Sequence, residues 1–475
     1  MLQTAVKPHD TRDIPNWRLG HHCGVAGIRA PQAMDVQRPL FYMLFAQQHR
    51  GQEACGVAWG DETGLRSDRR LGMVAGAADD WLSGSVSAKA GIGHVRYATQ
   101  GGGGLANAQP LAVSCSQGRI ALAHNGNLSN GAELRARLVA DGSIFQTTSD
   151  SEIILHRIAR SKMRDKESVL REALAGVEGA YSLCLIWDGA MVAVRDPMGF
   201  RPLHLAEEGG VSYVASETCA LRALGPMDWR EIAPGECVIV DDDGTHSFFL
   251  DPRPRRARCI FEPIYFARPD SWVFGRSVHA SRRALGAALA AADTITPDVV
   301  VPVPDSGTLA AMGYAEVSGR PFAFGLTRNH YAGRSFILPT KGERELAVRM
   351  KLHAVEDVVA GKSVVIVDDS LVRGTTSGII VRLLREAGAR EVHLRLSSPE
   401  LKWPCYYGID IPTRDELISN RLDADGIAAH IGADSVRFLT VDGMRQALGA
   451  ESGEFCSACF DGNYPCPVRH AGDVS

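Results

Sequence analysis

Three groups of residues in this 475-residue chain are spaced for chemistry. The first is LGHHCGVAGI, residues 19–28, where Cys23 stands between two histidines and a flexible Gly-Val-Ala-Gly run. A cysteine there could join His21 and His22 on a metal, lie inert in a core, or act as a nucleophile whose proton some base must take. The second is VVIVDDSLVRGTTSG, residues 364–378. An apolar strand delivers Asp368 and Asp369 at its end, where adjacent carboxylates can accept from a ribose diol or help hold Mg2+. The RGTTS turn then places backbone N–H groups and the hydroxyls of Thr375, Thr376 and Ser377 at a helix N-terminus, which favours an anion. A solvated acidic turn before an N-capped helix explains either half of this stretch, but not both in series. The third group is Cys456 and Cys459, a CxxC in EFCSACF, with Cys259 and Cys405 far away in sequence. Alone, such a pair could be redox-active, a zinc half-site or a coincidence.

These residues need a scaffold large enough to hold them. At 475 residues the chain exceeds one ordinary core, so two domains are the default. Apolar residues make up 45% and charged residues 22%, the balance of a globular protein. A net charge of −4 and a pI near 6.4 give no global basic field for nucleic acid or an anionic membrane, and neither partner is expected. No long uncharged apolar run suits a membrane span. The first 22 residues carry Lys7, Asp10 and Asp13 and have no apolar core of a secretory signal. A cytoplasmic location is expected, in which eleven cysteines do not form a disulfide framework.

Up to about residue 250, short apolar segments such as RIALAHNG (119–126), AYSLCLIW (180–187) and ECVIVDDDG (236–244) alternate with turns. They predict a sheet-rich unit with a few helices, among them ESVLREALAGV from Glu167. DPRPRRAR (251–258) reads as a linker. Strands and helices then alternate: DVVVPVP (298–304), a helix from near Ser306, KSVVIVDD (362–369), the helix TTSGIIVRLLREAGA, and EVHLRL (391–396). Ile379, Ile380, Leu383 and Leu384 share one face of that second helix, and Gly388 stands at its C-terminal cap. Such alternation predicts a parallel sheet with ligand sites at the carboxyl ends of its strands.

The 364–378 stretch resembles the phosphoribosylpyrophosphate signature of type I phosphoribosyltransferases. The resemblance implies that Asp368 and Asp369 meet the ribose hydroxyls and Mg2+, one ion per subunit. It also implies that Ser370 and Arg373, Gly374, Thr375, Thr376 and Ser377 hold the substrate, the last five its 5-phosphate. VPVPDSG (301–307) looks like the pyrophosphate loop, with Ser306 on the metal side, and 327–352 looks like the mobile hood. Its basic residues Arg328, Arg334, Lys341, Arg349 and Lys351 would close over the polyphosphate, although Lys341 and Arg344 also read as ordinary solvated charges. Asn329-His330-Tyr331 departs from the usual Asn-Arg-Tyr there, and Ala347 replaces the usual glycine.

The segments QQHRGQE, GHVRYATQGG, LAHNGNLSN, TTSDSE and AVRDPMGFRPL, together with Cys23-Gly24, look like a class II glutamine amidotransferase domain. In order and spacing the whole chain is similar to the glutamine phosphoribosylpyrophosphate amidotransferase family. The fold class implied is α+β and α/β: an N-terminal-nucleophile hydrolase αββα sandwich followed by a type I phosphoribosyltransferase parallel-sheet domain. The units implied are a propeptide (1–22), the amidotransferase domain (23–250) and the phosphoribosyltransferase domain (251–475). Removing the propeptide would free the α-amine of Cys23 to take the thiol proton. Asn125 and Gly126 would form the oxyanion hole, Arg96 would bind the glutamine carboxylate, Asp150 its ammonium, and Arg50 would line the pocket. Singly, Arg96 is as readily a surface charge and Asp150 a helix cap.

One branch of that family carries both a cleaved propeptide and a [4Fe–4S] cluster, whose ligands coincide with Cys259, Cys405, Cys456 and Cys459. Zinc is the physical alternative, since four thiolates suit it too. Cys466 has no assigned role, and the remaining cysteines read as core or surface thiols. The implied reaction makes 5-phosphoribosylamine, glutamate and pyrophosphate from glutamine, phosphoribosylpyrophosphate and water, opening purine synthesis. A homotetramer inhibited by purine nucleotides is implied as well. Two rivals remain: a paralogue feeding a specialised pathway, and a regulator that binds phosphoribosylpyrophosphate or nucleotide without turnover.

Overall fold

The computed structural model describes residues 23–61, 64–97, 104–251, 255–329, 348–450 and 453–467. The expected propeptide 1–22 and most of the hood, including His330, Arg334, Lys341, Arg344 and Ala347, lie outside them.

Two antiparallel sheets are built before residue 250. The seven-stranded sheet places Cys23–Asp35 at its centre, between Val211–Ala215 and Ser87–Arg96. The six-stranded sheet carries Gly118–Leu128 beside Gly179–Trp187. Alternate side chains of both sheets meet in one layer: Val25, Ile92 and Val214 from the first face Ala121, Ala123, Cys184 and Met191 from the second. The opposite face of the first sheet is covered by the helix Gln37–Ala46, whose Leu40, Met43 and Leu44 pack with Trp81 and Leu221. The helices Ser151–Arg160 and Lys166–Leu174 cover the second with Ile153, Ile154, Ile158 and Leu170. Helix, sheet, sheet, helix is the expected αββα order.

The later half contains a parallel four-stranded sheet in the order Val299–Pro302, Ser363–Asp368, Glu391–Leu396, Ser435–Phe438. Its central strand has a period of two. Val364 and Ile366 pack under the helices Thr375–Glu386 and Ala424–Ile431. Val365 and Val367 pack under Val278–Ala291 and Thr308–Ser318. With both faces covered, the carboxyl ends of the strands are left for ligands, and Asp368 stands at one of them.

The halves are joined by more than the connection between them. Cys259 pairs in parallel with Cys456 near the C-terminus, and its N–H donates to the Phe200 carbonyl at 3.0 Å. The Phe200 and Tyr407 rings stack at 4.3 Å between centroids. Among the described residues, no helix is long and apolar enough to cross a membrane.

Candidate functional site

Cys23 opens the central strand and lies directly opposite Arg96 in the register. Its side chain is buried, and burial pushes the thiol up to about 12 against the opposing pull of Arg96 and Arg50, while Asp150 adds to the rise. At neutral pH this is a protonated thiol, so attack on an amide requires a base that takes its proton as the bond forms.

Asn125 and Gly126 are carried to the same place by Gly118–Leu128, paired with Ser182 and Tyr181. Gly126 is held where the backbones come close: a Cβ there would lie 2.0 Å from the Ala180 carbonyl oxygen. Ser216 ties the two sheets together, because its Oγ accepts from the Val25 N–H at 3.0 Å and from Asn125 Nδ2 at 3.3 Å. The amide that would face an oxyanion is thus anchored to the strand bearing the thiol. Behind it, His124 donates its backbone N–H to Gln109 Oε1 at 2.7 Å, and Nδ1 of its ring lies 3.0 Å from Ser151 Oγ.

Asp150 occupies the N-cap position of Ser151–Arg160, yet its side chain makes no cap bond. Oδ2 accepts from the Leu128 N–H at 2.8 Å instead, which turns the carboxylate toward the Asn125 strand. Arg50 is fully enclosed. Its Nε donates to the Cys23 carbonyl at 2.9 Å, its two terminal nitrogens grip Glu262 at 3.0 and 2.7 Å, and Nη1 also donates to Glu217.

The second constellation gathers around Asp368. Ser306 Oγ donates to Asp368 Oδ1 at 3.0 Å, and the Asp369 N–H donates to the same oxygen at 2.9 Å. Burial, and then the neighbouring Asp369, hold the Asp368 carboxyl well above the usual carboxylate range. Two crowded carboxylates of this kind favour either a shared proton or a cation. Gly374 caps the following helix at φ +76°, a left-handed turn in which a Cβ would strike Ile418 at 2.9 Å. Thr375 and Thr376 are exposed at that N-terminus and Ser377 is buried beneath them, while Ser370 donates to Asp369.

Two basic candidates point elsewhere in this conformation. Arg373 reaches out to Glu416, and Arg349 forms a paired bond with Glu386, 2.9 and 2.7 Å, at the far end of the helix that begins at Thr375. Lys351 precedes the strand Leu352–Ala354, its carbonyl accepting from the Asn329 N–H at 2.8 Å.

The cysteines form the third constellation. Cys259, Cys405, Cys456 and Cys459 line one small cavity, with Phe200, Phe261, Tyr407, Ile409, Ile411 and Tyr464 around them. Burial raises all four thiols, and Cys259, Cys405 and Cys456 each raise Cys459 further. The Tyr407 N–H donates to Cys405 Sγ at 3.4 Å. Among the described residues, no three His, Cys, Asp or Glu side chains are close enough to grip a single metal ion. Cys466 is not part of the cavity lining; its backbone N–H and carbonyl are both bound by the Tyr407 hydroxyl at 3.0 Å.

Sequence reasoning did not single out Ser216, Gln109, Ser151, Glu217 or Glu262. Each is joined to its partner by a contact distant in sequence, and only their place beside other motif residues could have pointed to them.

The chain matches a glutamine amidotransferase domain family over residues 96–223 and a phosphoribosyl transferase domain family over residues 276–397. It is 48% identical to amidophosphoribosyltransferase 1, chloroplastic, of Arabidopsis thaliana over 93% of this chain and 78% of that one. To the amidophosphoribosyltransferase of Bacillus subtilis it is 44% identical over 95% of both chains. The solved glutamine phosphoribosylpyrophosphate amidotransferase of B. subtilis, complexed with ADP and GMP, superposes with a TM-score of 0.87 at 43% identity. That match covers 95% of this chain and 99% of the other. These likenesses run through both halves, so the chain belongs to the amidophosphoribosyltransferase family.

Proposed function

We propose that the chain converts glutamine, phosphoribosylpyrophosphate and water to 5-phosphoribosylamine, glutamate and pyrophosphate, the first step of de novo purine synthesis. The observation that carries this reading is the meeting of Cys23, Arg96, Asn125 and Asp150 in one half of a chain whose other half sets Asp368 and Asp369 above a helix N-terminus.

Cys23 Sγ attacks the side-chain carbonyl carbon of glutamine. Its proton passes to the α-amine of the same residue, which exists as a base only once residues 1–22 have been removed. Asn125 Nδ2 and the Gly126 N–H receive the developing oxyanion, Arg96 holds the α-carboxylate and Asp150 the α-ammonium. The C–N bond breaks with return of the proton to nitrogen, ammonia leaves, and water cleaves the thioester to glutamate. Ammonia travels inside the protein, because in bulk water near neutral pH it is mostly ammonium and not nucleophilic. At the second site it displaces pyrophosphate from C1 of the ribose.

The crowded pair Asp368 and Asp369, with Ser306, suits one Mg2+ per subunit, which when bound would neutralise the pyrophosphate leaving group. Arg373, Gly374, Thr375, Thr376 and Ser377 cradle the 5-phosphate, Ser370 meets the substrate beside them, and Arg349 and Lys351 approach on closure. The four thiols that line the aromatic cavity are the donors a [4Fe–4S] cluster takes, with zinc the alternative for four thiolates. Such a cluster would pin the 453–467 segment to Cys259 and so serve structure. The domain limits are drawn at 23–250 and 251–475. Purine nucleotides, as in the relative crystallised with ADP and GMP, act as inhibitors of a homotetramer in the cytoplasm.

Protein made without oxygen tests this reading. The expected result is a first residue of Cys23 and about four irons and four sulfides per chain, with rescue of a purine auxotroph. A fully active chain still starting at Met1 would overturn the assigned base. Absence of rescue by an active enzyme would favour the specialised paralogue, and absence of glutaminase activity the non-catalytic regulator.

A further inference from the structure

A buried charge network crosses between the two halves at Cys23. Glu262 begins a short widened turn, Glu262–Phe266, in which the Ala267 N–H bonds the Glu262 carbonyl at 3.0 Å. Its carboxylate is wholly buried and holds two arginines of the first half: Arg50 through both oxygens, and Arg201 Nη1 at 3.0 Å. Arg201 Nη2 donates onward to the Tyr407 carbonyl at 2.9 Å. Glu217 balances the second positive charge, so two arginines face two glutamates with almost no solvent.

The turn itself is clamped from below. Arg282 Nε donates to the Pro263 carbonyl at 3.0 Å, and Arg282 Nη2 donates to those of Tyr265 and Ala267 at 2.8 and 2.7 Å. Glu262 is therefore a fixed point supplied by the phosphoribosyltransferase half.

We propose that Glu262 is a positioning residue for the glutaminase reaction, acting through Arg50 on the carbonyl of Cys23. A guanidinium is a planar fork, so fixing both terminal nitrogens fixes the direction of Nε. That Nε holds the Cys23 carbonyl at 2.9 Å. The need is specific to a terminal nucleophile. Once residues 1–22 are removed no upstream peptide plane anchors Cys23, and its carbonyl, beside the Tyr97 N–H at the thiol, is what orients the residue. Glu217 cannot substitute alone, because it is already shared among His49, the Arg268 N–H and Ser271 Oγ at 2.7, 2.9 and 2.8 Å. The inference rests on the reading of Cys23 as the glutaminase nucleophile.

Glu262→Gln in the processed, cluster-loaded enzyme tests it. The glutaminase kcat is expected to fall about 10²-fold, with the glutamine KM and the ammonia-dependent synthesis of phosphoribosylamine within about twofold of the parent. Labelling of Cys23 by the glutamine-like electrophile 6-diazo-5-oxo-norleucine should slow by the same factor. Glu262→Asp, which keeps the charge and shortens the reach, carries the same readouts if the amide variant does not fold, and should lose less. A parental glutaminase kcat, or equal loss of the glutamine- and ammonia-dependent rates, overturns the inference. A parent enzyme without any glutaminase activity overturns the functional reading, and the inference with it.

Discussion

Ser306 and Asp368, sixty-two residues apart, are joined by a 3.0 Å hydrogen bond from Oγ to Oδ1. The loop after Val299–Pro302 and the end of Ser363–Asp368 thereby meet on adjacent parallel strands. The same carboxylate oxygen accepts from the Asp369 N–H at 2.9 Å, so two donors on separate segments fix its direction.

Removing the hydroxyl in Ser306→Ala should therefore weaken productive binding without touching glutamine hydrolysis. The KM for phosphoribosylpyrophosphate is expected to rise about tenfold, the size of one hydrogen bond to a charged group. Ammonia-dependent synthesis, titrated with Mg2+ and substrate, measures it. An unchanged KM would remove Ser306 from the site.

Ser216→Ala should act on the other half-reaction. It deprives Asn125 Nδ2 and the Val25 N–H of their shared acceptor. A glutaminase kcat about tenfold lower and a fold weakened by about 1–3 kcal/mol are expected. Ammonia-dependent synthesis should hold. Steady-state kinetics beside thermal unfolding separates these effects, and a glutaminase rate equal to the parent's would contradict the anchoring role.

His204 sets a pH dependence of stability. Burial brings its pKa down to about 4, with Glu231 opposing and Arg195 adding to the fall, while the ring meets Trp229 edge to face at 5.4 Å. The unfolded chain takes up this proton near pH 6.5. The stabilisation is therefore full above about pH 6.5 and is lost as pH falls toward 4, by about 3 kcal/mol. In His204→Phe the decline in melting temperature between those pH values should be shallower. An identical slope in the variant would sink this assignment.

Much of this was legible in the chain, for local reasons. Strand, Asp-Asp, turn and helix follow one another within fifteen residues, and the structure keeps that order, with the helix running Thr375–Glu386. RIALAHNG read as a strand, and Gly118–Leu128 extends it to Leu128 because its pairing with Gly179–Trp187 continues past Gly126. The helix expected from near Ser306 starts at Thr308, since Ser306 turns to Asp368. What was not legible is long-range. Glu262, inside FEPIYF, follows no period that marks a buried carboxylate, and its partner Arg50 is 212 residues away. Taken singly, Asp150 could equally be a helix cap; it stands at that position, but its carboxylate accepts from the Leu128 N–H, a contact that local sequence does not show.

Cys23 is proposed as the nucleophile of one half-reaction only. The most direct measurement compares phosphoribosylamine formed from glutamine and from ammonium salts by the parent and by Cys23→Ala. The expected result is loss of the glutamine-dependent rate by at least about 10³-fold, with the ammonia-dependent rate within about twofold. Synthesis from glutamine at the parental rate would contradict the account.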